Sequence, residues 1–191
     1  MNHYFVLRHG ESVANIRGMI MSDPNEGKKD EHGLTKNGEH QVADSVRQAK
    51  ERGVLNGETI IYSSPFSRCK RTAEIARDIL EAKTEIVFDD RLRERWFGDW
   101  EGAGNDNYQN VWDRDISDPE HNEADVESVA EVLGRVIALI EDLEAAHSEN
   151  NILLVSHGDI LQILQTFFDH QPASAHREVP HIKLAELRKL R

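Results

Sequence analysis

The constraint that most narrows the fold is a set of three short apolar or β-branched runs, at residues 4–7, 59–62 and 152–155. Runs of this length without polar alternation suit strands buried on both faces, the environment of a parallel sheet covered by helices. Segments with helical spacing lie between them. Residues 37–50 place Val42, Val46 and Ala49 on one face, and the stretch after "SSP" does the same for Phe66, Cys69, Ala73, Ala76 and Leu80. Ser64 there reads as an N-cap and Pro65 as the first helical residue. Residues 126–143 carry Val126, Val129, Leu133, Val136, Ile137, Ile140 and Leu143 at helical spacing, and residues 160–168 form a strongly apolar helix. Residues 85–88 are a candidate third strand, and the alternation at 182–187 fits either an edge strand or a frayed helix. Alternating strands and helices predict an α/β fold, a three-layer sandwich whose central sheet is mostly parallel, with helices on both faces. No internal repeat and no Pro/Gly/Ser-rich linker divides the chain, so residues 1–191 are expected to form one domain.

In sheets of this kind ligands sit beyond the carboxyl ends of the strands. Three segments belong there: "RHG" after the first run, "SSPFSR" after the second and "SHGD" after the third. They deliver Arg8 and His9, Arg68, and His157. The chain has 23 basic and 35 acidic residues, a net charge of −12, which argues against non-specific binding to nucleic acid or to an anionic membrane. Cations gathered at one edge of so acidic a chain are placed against its overall field, and they converge on an anion. The predicted helix at Pro65 would add its N-terminal N–H groups, and Arg8 a planar fork matched to phosphate oxygens. A neutral imidazole beside such a site can attack phosphorus, and a second can donate to the phosphoryl oxygens. An acid for the leaving oxygen is then needed, and "LRERWFGDWEG" at 92–102 offers Glu94, Asp99 and Glu101.

The chain here resembles the histidine phosphatase superfamily, which includes the cofactor-dependent phosphoglycerate mutases. The resemblance is carried by "LRHGESVAN", "GLTKNGEHQ", "YSSPFSRCKRTAE", "LRERWFGDWEG" and "VSHGD", in that order along most of the chain. It implies a phosphoglycerate mutase-like fold with His9 as the phosphorylated nucleophile. Arg8, Arg68 and His157 would form the phosphate pocket, Asn15 would contact the phosphoryl group, and Glu94 would be the acid/base. The implied activity is phosphomonoester hydrolysis through a phosphohistidine, on a small phosphorylated metabolite. The paired arginines that follow a tryptophan in the mutases have no full counterpart, since "VWDRD" supplies only Arg114. Two alternatives stand beside it: a phosphoglycerate mutase, and a non-catalytic module that binds a phospholigand.

Other chemistries are poorly served. Cys69 lacks the arginine six residues on that a cysteine phosphatase loop needs; position 75 is Ile75. The ten histidines show neither HExxH nor His-x-His spacing, so no metal and no cofactor are expected. No apolar run is long enough for a membrane span, and no basic segment followed by an apolar stretch marks a secretory signal. A single cysteine fits a reducing compartment, so the expected address is cytoplasmic. Lys28 and Lys29, in a polar loop over 17–33, are candidates for selecting an anionic tail, although a solvated loop is the commoner meaning of such a run. The acidic stretch 105–124 is a candidate lid. Trp96 and Trp100 read as packing residues. Oligomeric state is not legible.

Overall fold

The computed structural model describes all residues, 1–191. Its sheet has five strands, β1 (His3–Arg8), β2 (Ile60–Ser63), β3 (Val87–Phe88), β4 (Asn151–Ser156) and β5 (Leu187–Lys189), in the order β3-β2-β4-β1-β5. The first four are parallel to their neighbours, and β5 runs antiparallel along β1. Six helices accompany them: α1 (Val13–Arg17), α2 (Lys36–Glu51), α3 (Ser67–Leu80), α4 (Tyr108–Ser117), α5 (Val129–Ala146) and α6 (Gly158–Phe168).

Strand alternation divides the core in two. Tyr4, Val6, Ile152 and Leu154 face α5 and α6, while Phe5, Leu7, Ile61, Leu153 and Val155 face α2 and α3. The three-layer α/β arrangement therefore follows from apolar residues on both faces of β1 and β4. A third, smaller cluster of Ile20, Phe97, Val111 and Val126 joins the loops over the carboxyl edge to α4.

The helix over 36–51 starts where Thr35 accepts the Gly38 N–H at 3.0 Å. Four local expectations are corrected. The helix after "SSP" begins at Ser67, because Phe66 is extended (φ −63°, ψ 139°) and buries its ring rather than continuing a helical turn. Ser64 is therefore not its N-cap. The helix expected from 126 begins at Val129, behind a capping box between Ser128 and Glu131, and Val126 packs into the third cluster. The third strand shrinks to two exposed residues at the sheet edge. The last segment resolves as an edge strand displaced toward the C-terminus, at Leu187–Lys189. No helix is long and apolar enough to cross a membrane.

Candidate active site

Strand order positions the site. β2, β4 and β1 are adjacent, so the residues that follow them, Ser64 to Arg68, His157 and His9, emerge side by side at one edge. The His9 N–H donates to the Ser156 carbonyl and its own carbonyl accepts from Ala185, each at 3.1 Å, which ties the backbone on both sides. Gly10 follows because there is no room for a side chain. A Cβ at that position would lie 2.3 Å from the Gly38 carbonyl oxygen at the start of α2.

His9, Arg68, Glu94 and His157 are all buried and form one cluster. His9 Nδ1 lies 2.8 Å from the Gly10 carbonyl, to which it donates. The proton is thereby held on Nδ1, and Nε2 keeps its lone pair. That Nε2 accepts from Arg68 Nε at 3.2 Å. Burial, then the charges of Arg68 and Arg8, hold His9 well below the usual imidazole range, so it is neutral. Arg68 Nη2 donates to the Met21 carbonyl at 3.0 Å and lies 3.5 Å from Glu94 Oε2. One guanidinium thus spans the nucleophile candidate and the acid candidate.

The rings of His9 and His157 are 5.3 Å apart, edge to face. His157 Nε2 is 2.9 Å from Ser64 Oγ, and Nδ1 is 3.5 Å from Glu94 Oε2. It too is held well below the usual range, by burial first and then Arg68. Burial pushes Glu94 up to about 7, against the opposing pull of Arg68. The Arg95 N–H donates to its Oε1 at 3.1 Å. Glu94 is therefore a carboxyl group that both holds and releases a proton near neutrality. Neither Asp99, which is exposed, nor Glu101, which accepts from Ser22 at 2.7 Å, competes for this place.

Arg8 Nη1 donates to the Ile182 carbonyl at 2.9 Å. Arg8 Nε and Arg68 Nη1 are buried with no hydrogen-bond partner. Two orphaned guanidinium N–H groups beside a neutral imidazole are an unmet demand for acceptor oxygens. Asn15 sits at the third position of α1, where its Oδ1 accepts from Ser12 N at 3.0 Å and its Nδ2 makes no hydrogen bond. Its amide N–H groups are thus held facing away from the cap and open to an acceptor.

Several residues escaped sequence reasoning. Ser64 anchors His157 and accepts the Phe66 N–H at 3.3 Å. The 105–124 stretch contains α4, whose Tyr108 and Trp112 line a pocket of about 60 Å³ beside Glu94, together with Arg177 and His181. Tyr108, Val111, Trp112 and Asp115 recur at helical spacing, the signal that the acidic composition of the segment masked. Lys28 pairs with Asp90 at 3.3 Å and Lys29 with Glu26 at 2.7 Å, so neither lysine lines the pocket. Glu26, Glu31 and His32 are the one trio placed to share a metal ion; they belong to this same loop and not to the His9 cluster. Cys69 touches His157 at 3.4 Å but burial pushes its thiol up to about 12, so it stays protonated and inert.

The chain is 32% identical over 169 residues to a putative phosphoserine phosphatase 2 of Hydrogenobacter thermophilus, covering 86% of this chain and 77% of that one. It is 32% identical over 184 residues to a probable phosphoglycerate mutase GpmB of Escherichia coli, covering 94% and 80%. Among solved structures, a mycobacterial glucosyl-3-phosphoglycerate phosphatase superposes with a TM-score of 0.81 at 20% identity, covering 99% of this chain and 90% of that one. YhfR of Bacillus stearothermophilus does so with 0.79 at 25% identity, with the same coverage. The histidine phosphatase superfamily (branch 1) profile matches residues 4–191, and together with the clustered His9, Arg68, Glu94 and His157 this establishes that the chain belongs to that superfamily.

Proposed function

We propose that the protein is a phosphomonoester hydrolase that works through a phosphohistidine at His9 and draws on no metal ion. The observation that supports it most is the pairing of a neutral imidazole, its Nε2 lone pair preserved by the Gly10 contact, with a carboxyl group poised at about 7. A phosphoryl group entering the cluster takes the hydrogen bonds of Arg8 and Arg68, and Arg68 Nε turns from His9 to a phosphoryl oxygen. His9 Nε2 then attacks phosphorus as the ester P–O bond breaks, and Glu94 gives its proton to the departing alkoxide. In the second step Glu94 takes a proton from water, the water oxygen bonds to phosphorus, and the P–N bond breaks to release inorganic phosphate. Arg8, Arg68 and an N–H of neutral His157 stabilise the equatorial oxygens in both steps.

The test is p-nitrophenyl phosphate hydrolysis in EDTA from pH 5 to 8, wild type beside His9→Ala. Activity that survives chelation and vanishes in the variant is expected; activity that needs added metal overturns the reading. A mutase is the second reading, favoured by the likeness to the probable phosphoglycerate mutase. Against it, Arg114 pairs with Glu123 at 2.8 Å on the surface and does not line the pocket. A bisphosphoglycerate-primed assay for interconversion of phosphoglycerates separates the two. The small phosphorylated substrate is the only partner the reading calls for.

A further inference from the structure

The pocket beside Glu94 has a wall of stacked rings. Tyr108 and Trp112 lie 5.3 Å apart at an interplanar angle of 6°, and the Arg177 guanidinium sits 3.6 Å above the centre of the Trp112 ring. Arg177 is held edgewise by a single hydrogen bond, from Nη1 to Gln162 Oε1 at 2.6 Å. The same oxygen accepts from His181 Nδ1 at 3.1 Å, and His181 Nε2 in turn accepts from Arg8 Nη1 at 3.2 Å. A continuous chain of side chains thus fixes Arg177 relative to Arg8, the arginine that ends β1.

Hydrogen-bond accounting shows what this pocket lacks. Asp159 Oδ1 already accepts from Trp112 Nε1 at 3.0 Å, and its Oδ2 lies 3.4 Å from Arg95. Gln162 Oε1 is doubly occupied, and Gln162 Nε2 donates to the His176 carbonyl at 3.1 Å. Glu94 enters the reaction carrying a proton. Arg177 Nε and Nη2 make no hydrogen bond, and Nη1 is also ion-paired with Asp159 Oδ1 at 3.7 Å. The pocket therefore offers spare donors in a planar fork, while its one ionised carboxylate, Asp159, is already shared among Trp112, Arg95 and Arg177. A planar fork of free donors matches a carboxylate better than a polyol tail, whose hydroxyls need acceptors as well.

We infer that Arg177 is a specificity residue that takes a carboxylate on the leaving group. The substrate class is then the small phosphorylated hydroxy and amino acids, a conclusion that rests on the hydrolase reading above. A guanidinium whose plane is pinned on an indole loses little freedom when it accepts a carboxylate in its fork. Glu94, beside it, meets the ester oxygen a few bonds away.

The test uses two matched pairs that differ at the carboxylate: 3-phosphoglycerate against glycerol 3-phosphate, and O-phosphoserine against O-phosphoethanolamine. The wild type is expected to favour the carboxylate member of at least one pair by about tenfold or more in kcat/KM. Arg177→Met, which keeps the stem on Trp112, is expected to bring that ratio close to one through KM, and Arg177→Lys to restore part of it. A wild-type ratio near one in both pairs, or a preference that survives Arg177→Met, overturns the inference. The wild-type ratio decides the matter if the variant does not fold. If p-nitrophenyl phosphate is not hydrolysed, the hydrolase reading fails separately. The same pairs are then compared by titration calorimetry on the wild type, where equal Kd values overturn the carboxylate site and a tenfold advantage sustains it.

Discussion

His9 Nδ1 donates to the carbonyl of its neighbour Gly10 at 2.8 Å, and that one contact decides which nitrogen of the ring is nucleophilic. A proton fixed on Nδ1 leaves Nε2 with a lone pair aimed at the Arg68 guanidinium, where an anionic phosphoryl group has its strongest attraction. Burial and two arginines keep the ring neutral, so no proton has to leave before attack. His9→Ala is expected to lower kcat by roughly 10³-fold or more. Acid-labile phosphate on the wild-type chain, trapped during turnover and missing from the variant, checks the intermediate directly. Labelled His9→Ala would place the nucleophile elsewhere.

Glu94 must start protonated, and its carboxyl sits at about 7 in the free protein. kcat/KM is therefore expected to be flat on the acid side and to fall about tenfold per pH unit above 7. A bound phosphoryl dianion adds negative charge nearby, which moves the corresponding limb of kcat to higher pH. Glu94→Gln is expected to remove this limb along with most of the activity. Stability gives an independent reading. A carboxyl raised from 4.5 to about 7 contributes stability below pH 4.5 that is lost as pH rises through 7, about 3 kcal/mol in all. Glu94→Gln is thus expected to melt higher than the wild type at pH 8 and to lose that advantage at pH 4.5. A variant less stable at pH 8 would mean that the buried carboxylate is well accommodated.

The parallel sheet and the gathering of His9, Arg68 and His157 at one edge are legible in the sequence because each depends on a local signal. Unbroken apolar runs mark β1 and β4, and the polar residues that end them must lie at the carboxyl edge. In the sequence only resemblance favours Glu94 over Asp99 and Glu101, and the physical reason, burial beside Arg68, exists only in the folded chain. The expectation for Ser64 fails for a related reason. Serine before proline is a good local cap, but burial of the Phe66 ring outweighs it and releases the hydroxyl to His157. The pocket wall was not legible at all. Trp112, Asp159 and Arg177 are brought together by tertiary contacts across more than sixty residues of sequence, with no local pattern to announce them.

Glu127 ties the loop that carries Glu94 to α5. Its carboxylate accepts from both Arg93 Nη groups at 2.8 and 2.9 Å, and from Arg135 Nε at 2.8 Å. Although burial opposes ionisation, the hydrogen bonds and charges of Arg135 and Arg93 bring it down to about 2. A carboxyl lowered in this way contributes stability that is present above pH 4.5 and lost as pH falls through 2. The linkage amounts to about 3 kcal/mol. Glu127→Gln is expected to cost about 2–4 kcal/mol at pH 7, and to flatten the acid limb of the unfolding curve between pH 4.5 and 2. Urea denaturation across that range checks both; an unchanged acid limb would assign the loss to other carboxylates.

Gly158 opens α6 and lies against Arg8. A Cβ there would be 2.9 Å from Arg8 Cζ and 3.2 Å from both Nε and Nη1. The obstacle is the far end of a side chain, so the fold yields easily while Arg8 cannot keep its place against the Ile182 carbonyl and His181. Stability and activity should then move in opposite directions. Alanine for glycine in a helix favours folding by about 0.5–1 kcal/mol, so Gly158→Ala is expected to melt at or above the wild-type temperature. Displacing a guanidinium by about an ångström is expected to cost roughly 10- to 100-fold in kcat/KM. The loss should appear with p-nitrophenyl phosphate as well as with carboxylate-bearing esters, because Arg8 serves the phosphoryl group common to both. A variant that loses stability and activity together would instead mark Gly158 as a packing residue, with the backbone rather than the arginine giving way.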